Sequence, residues 1–266
     1  MKILKIYPTH DNPGRINYQV NYGVWDAIKG DKVILEKFNT NLNNYDVVFL
    51  PMYKRWKNHM TIFNRIKDSK IKTVLFDNDS CYRTFGDRFY DGIDFIFYRD
   101  LDKNKKEPNT NSMWLPWSIN TDLYKAKFGG SGIIFNCTVN NHYPLRQKVS
   151  KIIKNKNSKN GQYISSLQNS GAAIHTDSDL VPMVRAKALE IASCGTQIIS
   201  NRTQKMDYFY PDDLILYFND IKELPEIIKN FKPNIEIQKE LRRITEEKHD
   251  DKIRAQEVLN KIKEII

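Results

Sequence analysis

Residues 185–200 read Arg-Ala-Lys-Ala-Leu-Glu-Ile-Ala-Ser-Cys-Gly-Thr-Gln-Ile-Ile-Ser, and this stretch decides the fold. Its first part predicts an amphipathic helix over 183–193, with Lys187 and Glu190 on one face because residues three apart are neighbours on a helix. Gly195 then ends the helix, and the apolar run after it predicts a strand over 196–200. A helix, a glycine and a buried strand in this order are typical of α/β proteins.

Apolar strands and amphipathic helices alternate along the rest of the chain, which predicts an α/β fold with parallel sheets. Strands are expected at 2–7, 32–36, 46–50, 73–76, 94–98, 132–136, 172–175, 196–200 and 214–218. Helices are expected at 17–29, 57–69, 146–154, 163–170, 183–193, 221–230 and 237–266. The last segment is rich in charge and is predicted to be helical throughout.

The small residues Gly129-Gly-Ser-Gly132 follow a polar stretch and favour an interdomain linker. We therefore predict a first domain over 1–125, a second over 126–245, and a C-terminal helix over 246–266 that packs back on the first domain. Ligands of open α/β sheets bind at the carboxyl ends of the strands. Two such domains facing each other predict a site in the cleft between them.

The chain of 266 residues carries three cysteines and a formal net charge of +10. Cys81, Cys137 and Cys194 lack metal-ligand spacing, which favours reduced thiols in a cytoplasmic protein. The sequence predicts neither a signal peptide nor a transmembrane segment. The positive charge favours an anionic partner, such as nucleic acid, a nucleotide or a membrane surface, with compositional drift as the alternative.

The helix at 183–193 places a cation and a carboxylate beside the glycine corner. This arrangement suits a ligand that has a diphosphate and a ribose, which is the shape of a nucleotide sugar. The alternative is a solvent-exposed ion pair between Lys187 and Glu190, which is worth only about 0.2–0.5 kcal/mol. We favour the ligand, because the apolar residues around the pair indicate that the rest of the helix is buried.

Three motifs of the second half resemble the nucleotide-sugar-dependent glycosyltransferases of the GT-B fold, in particular the CgeB-like, spore-maturation group. They are the strand and loop of 133–146 ending in Arg146, the helix and strand of 185–200, and His249-Asp-Asp-Lys-Ile-Arg254. The layout is also similar to the DNA β-glucosyltransferases of T-even phages. The resemblance implies two Rossmann-like domains facing across a cleft. It also implies transfer of a sugar from a nucleoside diphosphate donor, UDP-linked, to a hydroxyl acceptor without a metal or other cofactor.

The resemblance assigns the donor site to the second domain. Glu190 would bind the ribose hydroxyls, and Lys187 would lie near the diphosphate, with Arg185 as the alternative cation. Arg146 would grip the diphosphate, since a guanidinium binds phosphate oxygens through two parallel hydrogen bonds. Thr138, Asn140 and the backbone amides beside them would complete the anion site. The alternative for Arg146 is a surface arginine at a helix start.

An inverting transferase needs a base for the acceptor hydroxyl. Asp77 and Asp79 follow a strand, where catalytic groups of α/β sheets cluster, and a carboxylate in a closed site can have its pKa raised enough to serve. The alternative is an Asx turn after the strand. His10, with Asp11, is the competing base. A metal site at the two aspartates belongs to a different transferase fold and is not favoured.

Cations and aromatic residues alternate in 53–59, which predicts an acceptor surface that includes Arg55, Trp56 and Arg83, with Arg88 and Arg99 near in sequence. A solvated helix start is the alternative. The acceptor is a modified DNA base or a surface glycan. A catalytically degenerate binding module for nucleic acid or glycan stays open, because Pro182 stands where retaining members of the fold often carry a second glutamate.

Overall fold

The structure, a computed structural model, describes residues 1–7, 16–51, 59–77, 92–99, 111–137, 139, 143–154, 162–177 and 184–266, with backbone alone at 16–21, 51 and 77. These residues form two compact units. The first comprises Met1–Pro116 and Arg254–Ile266, and the second comprises Trp117–Ile253. The glycine-rich stretch 129–132 lies within the second unit.

The first unit is built on a six-stranded sheet in the order β2-β1-β3-β4-β5-β6. All its strand pairs are parallel. The strands are β1 (Ile3–Tyr7), β2 (Asp31–Ile34), β3 (Val47–Pro51), β4 (Lys72–Asp77), β5 (Phe95–Tyr98) and β6 (Ser112–Trp114). Helices α1 (Ile16–Ala27) and α2 (Met60–Lys67) connect strands of this sheet, and short 3₁₀ turns occupy Leu35–Lys37 and Leu42–Asn44. The parallel order matches the alternation of strands and helices along the sequence.

Both faces of the first sheet are buried at its central strands β1, β3, β4 and β5. Successive side chains of a strand point to opposite faces, so these strands contribute to two separate apolar clusters. One face packs against α1 and the last helix of the chain, through Trp25, Val258 and Ile262. The other face packs against α2, through Phe63 and Ile66. This explains why the strands read as continuous apolar runs rather than alternating ones.

The second unit contains a four-stranded parallel sheet in the order β10-β9-β8-β7. Its strands are β7 (Ile133–Ile134), β8 (Ala172–His175), β9 (Gln197–Asn201) and β10 (Ile215–Phe218). Its helices are α3 (Pro144–Ile152), α4 (Gln162–Gln168), α5 (Ala186–Ser193), α6 (Met206–Phe209), α7 (Leu224–Asn230) and α8 (Ile235–Lys248). Short 3₁₀ turns occupy Asp212–Leu214 and Ile221–Glu223.

The helix–glycine–strand corner is present as predicted. Helix α5 is buried over almost its whole length. Gly195 follows it with φ +75°, a left-handed conformation that favours glycine, and a Cβ there would lie 2.9 Å from the ring of Phe128. The helix begins at Ala186, however, and not at residue 183. Arg185 is extended, with φ −102° and ψ 162°, and forms the N-cap.

The prediction of one continuous helix over 237–266 is wrong. Helix α8 ends at Lys248, and α9 (Asp251–Ile265) begins three residues later. A tertiary contact occupies the break between the two helices. The Ile119 amide donates to the His249 carbonyl at 3.0 Å, and the Asp251 amide donates to the Ile119 carbonyl at 3.1 Å. The side chain of Asp250 then accepts from the Lys252 amide at 2.8 Å and caps the new helix.

Strand β6 was not predicted from the sequence. It is a three-residue edge strand whose side chains are half-buried, so it lacks the apolar run that marks the central strands. Only its parallel pairing with β5 identifies this segment as a strand. In the part of the chain that the structure describes, no helix is long and apolar enough to cross a membrane.

Candidate functional site

Polar side chains gather at the carboxyl edge of the second sheet. His175 is the last residue of β8, Ser200 and Asn201 end β9, and Cys137 follows β7. Because the strands are parallel, their carboxyl ends meet at one edge of the sheet, where ligands of such sheets bind. This edge is therefore the candidate site.

Glu190, on α5, lies at the centre of a buried cluster of polar side chains. The residue is only 6% exposed. The Tyr163 hydroxyl donates to Oε2 at 2.5 Å, and the Tyr124 hydroxyl donates to Oε1 at 3.3 Å. Burial, followed by the negative charge of Glu190, raises the pKa of both tyrosines, so both remain protonated donors. The carboxylate is thus held by two hydroxyl groups from outside its own helix.

Lys187 joins this cluster rather than forming an exposed ion pair. Its Nζ lies 3.3 Å from Oε2 of Glu190, and the two side chains are 23% and 7% exposed. The ammonium also donates to the Tyr163 hydroxyl and lies 4.0 Å from the centre of that ring. A chain of hydrogen bonds therefore runs from Lys187 through Tyr163 to Glu190.

Arg146 reaches the same edge of the sheet from the first turn of α3. Its Nε donates to Oγ1 of Thr176 at 3.1 Å, and a terminal nitrogen donates to the Thr176 carbonyl at 3.3 Å. The guanidinium also lies 4.0 Å from the centre of the Tyr143 ring. These contacts hold the guanidinium at the end of β8, so Arg146 is not simply a solvent-exposed arginine at a helix start.

Arg146, Lys187 and Arg185 all act electrostatically on His175. Burial, followed by the charges of these three cations in that order, lowers the pKa of His175 to about 3. Burial also raises the pKa of the Cys137 thiol, and Lys187 and Arg146 oppose that shift. The structure therefore brings together the three cations that were predicted for the donor site, with Glu190 beside them.

Other predicted residues lie outside the described part of the chain: His10, Arg55, Trp56, Asp79, Arg83, Thr138 and Asn140. Asp77 is the last residue of β4, and only its backbone is described. Arg99 is 1% exposed, so the expectation that it contributes to a surface for phosphates is wrong. Among the described residues, no group of three or more His, Cys, Asp or Glu side chains could hold a metal ion.

Residues 120–260, more than half of the chain, match a family model described as glycosyl transferase-like. The chain belongs to this glycosyl transferase-like family. The matched range contains the whole cluster around Glu190 and His175. The prediction that this protein is a glycosyltransferase is thereby confirmed at the level of the family, and no curated protein matches the chain.

Solved glycosyltransferases share the fold. Anabaena HepE in complex with UDP aligns with a TM-score of 0.66 at 10% identity, over 99% of this chain and 100% of that chain. Sucrose-phosphate synthase from Thermosynechococcus elongatus aligns with a TM-score of 0.68 at 8% identity, over 100% and 99%. The DNA-modifying β-glucosyltransferase aligns with a TM-score of 0.63 at 11% identity, over 97% and 98%. The predicted α/β class and GT-B fold are confirmed.

Sequence reasoning missed several residues of this site: Tyr124, Tyr163, His175 and Thr176. His175 carried one available signal, because it is a polar residue at the end of the apolar strand Ala172–His175. The two tyrosines carried none, since they are separated from Glu190 by 66 and 27 positions and only the fold brings them to it.

Proposed function

We propose that this glycosyltransferase uses a UDP-sugar and binds its nucleoside diphosphate at the carboxyl edge of the second sheet. The observation that carries the proposal is the placement of the cations: Arg146 hydrogen-bonds to Thr176, next to the buried His175, and Lys187 pairs with the buried carboxylate of Glu190 on the helix that Arg185 caps. Three cations in one place suit a diphosphate, whose charge grows as the sugar leaves. The complexes of HepE with UDP and with UDP-glucose support the choice of nucleotide.

Each residue of the cluster has a role in this proposal. Arg146 binds the diphosphate through its fork of donors, and Lys187 and Arg185 add charge beside it. Thr138 and Asn140 would complete the anion site. Glu190 accepts from the ribose hydroxyls, in addition to the hydrogen bonds that its oxygens already receive. The cations would stabilise the leaving diphosphate without a metal.

The residues that we assign to the acceptor are assigned from the sequence. We propose that Asp77, Asp79 or His10 takes the proton from the acceptor hydroxyl, and that Arg55, Trp56 and Arg83 bind the acceptor. The net charge of +10 favours DNA as that acceptor, and the fold shared with a DNA-modifying enzyme supports it. A surface glycan is the second candidate, and the motif resemblance to the CgeB-like group favours it.

We also propose that the chain belongs to the CgeB-like group and that the protein is located in the cytoplasm.

The donor site can be tested by thermal shift and calorimetry with UDP, GDP, ADP and their sugars. We expect UDP and UDP-glucose to raise the melting temperature, because a ligand that binds only the folded state stabilises it. Arg146→Ala should weaken UDP binding about 10- to 100-fold, as expected for lost hydrogen bonds between charged groups.

Arg202→Ala is the matched control for this variant. Arg202 is an exposed arginine of the same unit that also lies over a tyrosine ring, 4.4 Å from the centre of Tyr217. Its replacement should leave UDP affinity unchanged. If none of the nucleotides binds and UDP-glucose is not hydrolysed without an acceptor, the donor site is wrong and the degenerate binding module is favoured.

A further inference from the structure

His175 carries a buried nitrogen that the proposed donor site does not yet use. The residue is 0% exposed, and its Nδ1 lies 2.9 Å from Oγ of Ser200. Its Nε2 is buried and has no hydrogen-bond partner among the residues that the structure describes. Buried polar atoms are nearly always partnered in folded proteins, so this nitrogen calls for a partner other than the described residues, and a ligand bound at this edge of the sheet would supply one.

The hydrogen bonds of Ser200 decide which nitrogen of His175 carries the proton. The Ser200 hydroxyl donates to the Asn201 carbonyl at 2.8 Å. A hydroxyl has a single proton, so Ser200 Oγ accepts from His175, and Nδ1 is the protonated nitrogen. The lowered pKa of about 3 keeps the ring neutral at physiological pH, and Nε2 therefore presents a lone pair.

A lone pair restricts the chemistry of the missing partner. A phosphate oxygen is itself an acceptor and would be repelled by Nε2. A hydroxyl group can donate to it. Arg146 hydrogen-bonds to Thr176, the residue after His175, and the charges of Lys187 and Arg185 also act on the ring. A diphosphate bound by these cations would bring the hydroxyls on either side of it, those of the ribose and of the transferred sugar, close to His175.

We infer that Nε2 of His175 accepts a hydrogen bond from a hydroxyl group of the bound nucleotide sugar. His175 is then a specificity-determining residue, because a ligand without that hydroxyl would leave a buried acceptor unpaired. This inference rests on the proposed function. The ribose and the transferred sugar offer the same chemistry, and binding experiments separate them.

The first test uses the unaltered protein. In ¹⁵N NMR spectra of the imidazole rings, with His175→Asn used for assignment, we expect Nδ1 to be protonated and Nε2 to be unprotonated between about pH 5 and 8. Addition of UDP-glucose should shift the Nε2 signal without protonating it. A proton on Nε2, in the free protein or in the complex, would overturn the inference, because Nε2 would then be a donor to phosphate.

The second test compares two variants by calorimetry. His175→Asn keeps a donor toward Ser200 but removes the acceptor at the Nε2 position, and we expect it to bind UDP-glucose about tenfold more weakly. His175→Gln places an amide oxygen near that position, and should recover most of the affinity. A purely structural role would not predict this recovery, and melting temperatures without ligand check that both variants fold.

The two nucleotides identify the hydroxyl. If His175→Asn weakens UDP and UDP-glucose equally, the ribose donates to Nε2. If it weakens UDP-glucose alone, the transferred sugar does. If His175→Asn binds UDP and UDP-glucose as tightly as the unaltered protein does, the inference is overturned and the proposed function stays intact. Failure of the unaltered protein to bind either nucleotide overturns both, and if the variant does not fold, the NMR result on the unaltered protein decides.

Discussion

At the scale of single residues, Glu190 serves the fold as well as the proposed ligand site. Its two oxygens receive hydrogen bonds from the Tyr124 and Tyr163 hydroxyls, and Lys187 lies beside them. Both tyrosines are buried, so each hydroxyl needs the carboxylate to be satisfied. Loss of this carboxylate therefore affects stability before any ligand is considered.

We expect Glu190→Ala to lower the free energy of unfolding by about 3 kcal/mol, since it leaves two buried hydroxyls without their acceptor and a partly buried ammonium without its carboxylate. Glu190→Gln should cost less, because its amide oxygen still accepts from one tyrosine. Urea denaturation followed by circular dichroism measures both.

Glu236→Ala is the control for the carboxylate. Glu236 also pairs with a lysine three positions away on a helix, but its side chain is 80% exposed, and its loss should leave stability unchanged. Equal stability of Glu190→Ala and the unaltered protein would contradict the structural role of the cluster.

At the scale of elements, the break between α8 and α9 shows a tertiary contact overriding helix propensity. Asp250 is 7% exposed and uses both carboxylate oxygens at the break. Oδ1 accepts from the Lys252 amide, while Oδ2 accepts from the amide and hydroxyl of Thr121 at 3.2 and 2.5 Å. One side chain therefore caps α9 and ties its start to the segment around Ile119.

We expect Asp250→Ala to lower the free energy of unfolding by about 2–3 kcal/mol, because it removes a helix cap and leaves the Thr121 donors unpaired. Asp122→Ala is the matched control. Asp122 lies in the same segment as Thr121 and pairs with Lys252 at 2.8 Å, but both side chains are about three-quarters exposed, at 75% and 73%. Chemical denaturation of the two variants should therefore separate them. A loss of equal size in both would contradict the capping role of Asp250.

At the scale of the whole molecule, the formal net charge of +10 bears on the acceptor. A positive protein attracts polyanions over long distances, and that attraction is screened by salt. A saccharide acceptor without charge would show no such dependence. The salt dependence of binding therefore separates the two acceptor classes.

With DNA as the acceptor, we expect affinity for duplex DNA to fall about a thousandfold between about 50 and 200 mM salt, as for about six neutralised phosphates. Glucose should pass from UDP-glucose to hydroxymethylated DNA, and unmodified DNA serves as the control substrate. Fluorescence anisotropy and a radiolabel transfer assay measure these outcomes. Salt-independent activity on saccharides, without transfer to DNA, would contradict DNA as the acceptor and favour the glycan.

Much of the fold followed from local patterns in the sequence. The strand Ala172–His175 was predicted with its observed bounds, and the corner at Gly195 was predicted from one glycine between a helix and an apolar run. Lys187 and Glu190 of α5 were also visible, because their spacing places them on one helix face. These features depend on residues close in sequence, and neighbouring residues alone encode them.

Only the tertiary structure decided the rest. Tyr124 and Tyr163 meet Glu190, His175 meets Ser200, and Ile119 interrupts the last predicted helix, each across 25 or more positions in the chain. No local pattern marks such contacts, because they depend on which strands pair and in what register. The sequence by itself determined an α/β glycosyltransferase with a charged helix face. Folding determined which side chains surround that face, because packing brings distant residues together and fixes their hydrogen bonds.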